Sequence, residues 1–127
     1  MKREKRSALE RRRFETLVEE ALQSLPRRFK KHLQNIVVIV EDSPPKERSL
    51  RSGTLLGLYH GLPYPQRGAT FGSAIPDVIV IYQKSIERFS RNESDIRRRV
   101  REVVLHEVGH YFGLSEDDLR DIENEEA

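Results

Sequence analysis

With 127 residues the chain is long enough for one hydrophobic core and too short for two. Charged side chains make up 35% of it against 36% apolar, the net charge is only +2, and cysteine is absent, which excludes a disulfide scaffold, a zinc ribbon and thiol catalysis. No apolar run approaches the ~18 residues of a membrane span, and the basic stretch Met1 to Arg13 is not followed by the apolar region of a secretory signal. Residues 1–127 therefore read as one cytoplasmic domain, with 1–6 a frayed or disordered basic tail. Seventeen of the 23 basic residues are Arg, a composition suited to surface ion-pair networks.

Ser7 and Glu10 have capping-box spacing, and Phe14, Leu17, Val18, Ala21, Leu22 and Leu25 follow at helical intervals, predicting an amphipathic helix that Pro26 interrupts. Pro26 to Leu33 can add a further turn or two of helix. Ile36-Val37-Val38-Ile39-Val40 is β-branched throughout and reads as a central strand buried on both faces. Thr54 to Tyr59 is a second strand, with Gly57 as a candidate bulge. The Gly- and Pro-rich stretch from His60 to Ala74 reads as a loop bordering a cleft. Asp77 to Tyr82 is a third strand, Ser85 to Phe89 a short helix, and Asn92 with Asp95 caps a long helix. Ser115 with Asp118 opens a short acidic helix at the C-terminal end.

The long helix carries the chemistry. Its first turns are rich in Arg, whereas Val104, Leu105, Val108, Tyr111 and Phe112 surround its second half on nearly every side, predicting an end that dives into the interior. The ionisable residues there are His106, Glu107 and His110, spaced H-E-x-x-H. At about 100° per residue the two histidines lie one turn apart on one face and can reach a single cation. Glu107 lies partway round the cylinder, where its carboxylate can act on a water whose pKa the metal lowers toward ~7. The alternative is two core histidines bonded to backbone beside a surface glutamate, but converging buried polar groups need partners, and a metal with its water is the simplest. Zinc suits imidazole and carboxylate donors. Gly113 can take positive φ, end the helix and turn the chain back.

The full pattern, His106-Glu107-x-x-His110-x-x-Gly113-x-x-Glu116, resembles the metzincin motif with an acidic residue in place of the usual third His. With the upstream elements it most resembles the small bacterial zincin-like metallopeptidases, or mini-zincins. The resemblance spans roughly residues 10 to 122. It departs in one respect: Met1 is the single methionine, so the methionine turn of true metzincins is absent. It implies an α+β fold, a small mixed sheet of about three to four strands packed on helices with a central metal-binding helix. It also implies a Zn2+ cofactor, a peptide or protein substrate, Glu107 as general base, and Glu116 as third ligand beside His106 and His110. Asp117 and Asp118 are near enough to compete with Glu116, and Glu123 or Glu125 would instead imitate the glutamate zincins. In that architecture the strand Asp77 to Tyr82 would be the sheet edge that pairs with substrate.

Two other functions compete with peptide hydrolysis. Small bacterial ribosomal-RNA-processing endoribonucleases resemble this pattern in H-G-x-x-H-x-x-G-x-x-H, and the basic segments here could attract phosphate. Glu107 and Glu116, standing where that signature has Gly and His, and the near-neutral net charge argue against nucleic acid. The third reading is a non-catalytic, metal-stabilised interaction module. His60, Tyr59 and Tyr64 on the presumed cleft loop could face an oxyanion, although packing or surface roles serve them better, and His32 reads as solvent-exposed.

Overall fold

The computed structural model describes residues 9–33, 35–45, 55–61 and 77–126. The helical spacing of the first apolar residues produces α1 (Arg11–Gln23), which buries Phe14, Leu17, Val18 and Ala21. Ser7 of the expected capping box lies outside the described residues, and Glu10 at the N-cap makes no side-chain cap bond. Instead, Leu9 N–H donates to Glu87 Oε2 at 2.9 Å and Leu9 O accepts from Gln83 Nε2 at 2.8 Å, tying the start of α1 to distant residues. Pro26 then caps the single turn α2 (Arg27–Lys30).

The sheet contains β1 (Ile36–Glu41), β2 (Gly57–His60) and β3 (Asp77–Tyr82) in the order β1-β3-β2, with β1 parallel and β2 antiparallel to β3. This reverses two expectations. β1 is an edge strand among the described residues and only half-buries its alternate side chains, leaving Val37 42% and Ile39 37% exposed. β3 is the middle strand, flanked on both sides, so it cannot be the edge that receives an extended peptide. The cause is that a continuous β-branched run signals a strand without saying how many of its faces are covered. Gly57 is no bulge either, because its register against Ile81 continues unbroken to His60 opposite Val78. The expected cleft loop, Tyr64 included, lies outside the described residues beyond Gly61, as does Thr54 at the expected start of β2.

After β3 the chain forms α3 (Gln83–Arg88), the long α4 (Glu93–Phe112) and α5 (Glu116–Glu126). α4 organises the core: its Ile96, Val100, Val104 and Val108 meet Phe14 and Leu17 of α1, Ile79 and Ile81 of β3, and Leu119 and Ile122 of α5 in one buried cluster. The fold is thus α+β, a small mixed sheet packed on helices. Both ends of α4 are specified locally. Asn92 accepts a hydrogen bond from Asp95 N–H at 2.9 Å, satisfying one of the free first-turn donors. At the other end Gly113 sits at φ +71°, with Gly113 N–H on His110 O and Leu114 N–H on Gly109 O, the paired bonds of a Schellman turn.

The arginine-rich surface forms the expected networks. Glu93 pairs with both Arg13 and Arg97, and Arg97 also pairs with Glu20, linking α1 to α4. The Arg13 hydrogen bond holds the Glu93 carboxyl below its usual range, and the Arg91 backbone N–H, helped by Arg98, does the same for Asp95. These groups are partly open to solvent, so each contributes little alone.

Two measurements check this scaffold. Asn92→Ala should lower unfolding free energy by about 1 kcal/mol in urea denaturation, and an unchanged midpoint would mean the cap is dispensable. Glu93 and Asp95 have folded pKa values below their unfolded ones, so they stabilise the fold above about pH 4 and that stability is lost as pH falls through the folded values. Melting temperature should therefore drop on acidification below about pH 4, less steeply in Glu93→Gln. A melting temperature that rises on acidification would contradict this.

Candidate metal centre

The last turns of α4 place His106 and His110 on one face, their ring centroids 4.8 Å apart and tilted 70°. Their surroundings differ from the expectation in one respect. The end of α4 does bury Val104, Leu105, Val108 and Tyr111, but both imidazoles open onto a cleft, with side chains 41% and 46% exposed. The buried ionisable residue is Glu107, at 7% exposure. Its Oε1 has no hydrogen-bond partner among the described residues, even though His110 Nδ1 lies 3.2 Å away.

The Schellman turn reverses the chain, and a reciprocal capping box fixes where α5 begins. Asp118 N–H donates to Ser115 Oγ at 3.1 Å, while Ser115 N–H donates to Asp118 Oδ2 at 3.0 Å and holds that carboxyl below its usual range. Glu116 is thereby the first residue of α5, and its Oε2 lies 3.4 Å from His106 Nε2. The competing acids are engaged elsewhere: Asp118 in the cap, and Asp117 with Arg120 at 3.0 Å. Glu123 and Glu125 have side chains outside the described set. Ligand atoms of His106, His110 and Glu116 all fall within 4.8 Å of one another.

These donors fit a zinc ion. Bonds of about 2.0–2.1 Å in a tetrahedron separate neighbouring ligand atoms by roughly 3.4 Å. The His106–Glu116 pair already has that spacing, and the widest separation, 4.8 Å, exceeds it by an amount that side-chain rotation on an open cleft can absorb. Two imidazoles and one carboxylate with an open side form the donor set of catalytic rather than structural zinc. A buried carboxylate oxygen without a hydrogen bond, beside that triad, is the kind of group that desolvation penalises unless a ligand or its water meets it.

The cleft, about 530 Å³, is lined by Leu55, Leu56, Gly57, Glu102 and Val103 together with His106, Glu107 and His110. Sequence reasoning missed the first five. Glu102 was within reach, since it precedes His106 by four residues and shares its helical face. Leu55, Leu56 and Gly57 are brought in only by packing of β2 on α4. A Cβ on Gly57 would stand 2.6 Å from Val103 Cγ1 and 3.3 Å from Glu107 Cγ, so its glycine permits strand and helix to approach at the base of the cleft. Strand alternation puts Tyr59 on the same face as Gly57, where its ring meets Tyr111 edge-on at 5.9 Å, and sends His60 to the opposite face. His60 is thereby turned away from the face on which Gly57 lines the cleft. His32 is exposed, its ring against Phe112.

The chain belongs to the zincin-like metallopeptidase family, whose model matches residues 33–126, from the approach to β1 through α5. The matched span contains the whole H-E-x-x-H-x-x-G-x-x-E pattern. Among solved structures the chain is similar to a conserved hypothetical protein from Thermus thermophilus, at 26% identity over 90% of this chain and 97% of that one, with a TM-score of 0.53. No functionally curated protein matches it. Among the described residues no helix is long and apolar enough to cross a membrane.

Gly57→Ala should destabilise the fold by about 1–3 kcal/mol through overpacking against Val103. Urea denaturation checks it, and a neutral result would show that β2 yields freely at the cleft.

Proposed function

We propose that residues 1–127 act as one cytoplasmic peptidase domain, hydrolysing peptide bonds with a zinc ion held by His106, His110 and Glu116. The observation that carries this reading is the convergence of three ligand atoms within 4.8 Å, with Glu107 buried on the same helix and its Oε1 without a hydrogen bond among the described residues. When bound, zinc supplies Lewis-acid polarisation of the scissile carbonyl and makes water acidic enough to react near neutral pH.

The chain's own residues do the rest. Glu107 accepts the proton of the attacking water on its carboxylate and returns it to the leaving amine as the C–N bond breaks. Its burial beside Gly57 limits its rotamers, which keeps the carboxylate at the cleft it lines. The substrate edge moves from β3 to β2, the strand that borders the cleft and ends the sheet on that side among the described residues. An extended peptide laid along it would be held through its main chain, largely whatever its side chains.

Replacing Glu107 with Gln should leave zinc bound and lower turnover of a peptide library on the order of 10²- to 10⁴-fold. Undiminished cleavage by that variant would remove Glu107 from the mechanism. A chelator should abolish wild-type cleavage and added zinc restore it.

A further inference from the structure

We infer that Gly109, one of the two unspecified positions between the histidines, is a positioning residue for the third ligand: its missing side chain forms the socket that sets how closely α5, and with it Glu116, approaches the histidines. This rests on the zinc reading above and adds to it a residue that never touches the metal.

Gly109 is buried in the last part of α4 and faces α5. A Cβ built there would stand 2.4 Å from Leu119 Cδ2 and 3.1 Å from both Cδ1 and Cγ of the same residue. The clash therefore reaches past the tip of Leu119 to its branch point. Leu119 is 3% exposed and sits in the common core, so it has little room to swing aside. On α5, Glu116 and Leu119 are three residues apart and share a face, with one turn of rigid helix between their Cα atoms. How deeply Leu119 seats thus determines where the Glu116 carboxylate stands. The other end of the lever is fixed as well. Leu114 N–H bonds to the carbonyl of Gly109 itself, and the Ser115–Asp118 box fixes the first turn of α5.

Displacing Leu119 outward must rotate or translate α5 about that turn. The 3.4 Å approach of Glu116 to His106 is the separation most exposed to such a movement. A glycine in a helix interior is unfavourable relative to alanine, so its presence at a buried position calls for a packing reason, and the Leu119 contact provides one.

The test is zinc affinity, by competition with a chromophoric chelator, of wild type, Gly109→Ala, Glu116→Ala and the double variant, with circular dichroism confirming that each is folded. Gly109→Ala should lose about 10- to 100-fold in affinity, as expected when the support of a ligand is disturbed. Because both changes act on one ligand, the double variant should bind no more weakly than Glu116→Ala alone. The cobalt-substituted visible spectrum of Gly109→Ala should also shift toward that of Glu116→Ala. If Gly109→Ala does not fold, Leu119→Ala, which removes the knob rather than filling the socket, enters the same cycle. Wild-type affinity in Gly109→Ala, or losses that multiply in the double variant, would overturn the inference while leaving the zinc site intact. A wild type that binds no zinc would overturn the metal reading first, and this inference with it.

Discussion

The turn at Gly113 is the constraint on which the rest of the site depends. A helix ending in a left-handed residue closes its last carbonyls with the N–H groups of residues 113 and 114 and sends the chain back along a fixed direction. Three residues later the chain is helical again and carries a carboxylate facing the imidazoles it has just passed. A longer or looser connection would leave that carboxylate to find the histidines by diffusion, at an entropic cost that grows with every unfixed residue. Here the Schellman turn and the capping box together leave few free backbone angles between His110 and Glu116.

That local device needs a rigid helix to act from, and the core provides it. α4 is held along its length by α1, by β3 and, at its end, by α5, so the backbone beneath His106 and His110 is fixed while their rings remain open to the cleft. The division of labour follows from helical geometry. One face of the final turns meets solvent with two nitrogen donors, and the adjoining face buries Glu107 beneath β2. Two glycines, Gly57 and Gly109, allow the neighbouring strand and helix to come closer to α4 than any side chain would permit. With charged residues as common as apolar ones, such close contacts replace the bulk that a larger core would use to stiffen a site.

Much of this was legible in the sequence where the signal is local. The helical spacing from Phe14, the Asn92 cap, the Ser115–Asp118 box and the glycine stop at Gly113 are each written within a few residues, and the structure has them as expected. The histidine pair and the proximity of Glu116 follow from spacing and one turn. What escaped depends on partners remote in the chain. The run Ile36 to Val40 and the run Asp77 to Tyr82 are equally β-branched, so nothing local reveals that β3 rather than β1 is enclosed on both edges. The expected burial of the histidines failed for a related reason. A helix turn with apolar residues on most sides still opens wherever no element covers it, and the sequence of α4 does not say where β2 stops. Gly57 looked like a candidate bulge and Gly109 drew no reading, because a close approach is visible only once the approaching group, Val103 or Leu119, is in place.

The central claim is that three side chains from two helices hold one zinc ion. Its most direct test is the metal content of the purified protein by elemental mass spectrometry, wild type beside His106→Ala, each after reconstitution with zinc and desalting. One zinc per chain in the wild type and none in the variant is the predicted result. A wild type that retains no zinc, or a variant that retains as much, would contradict the account.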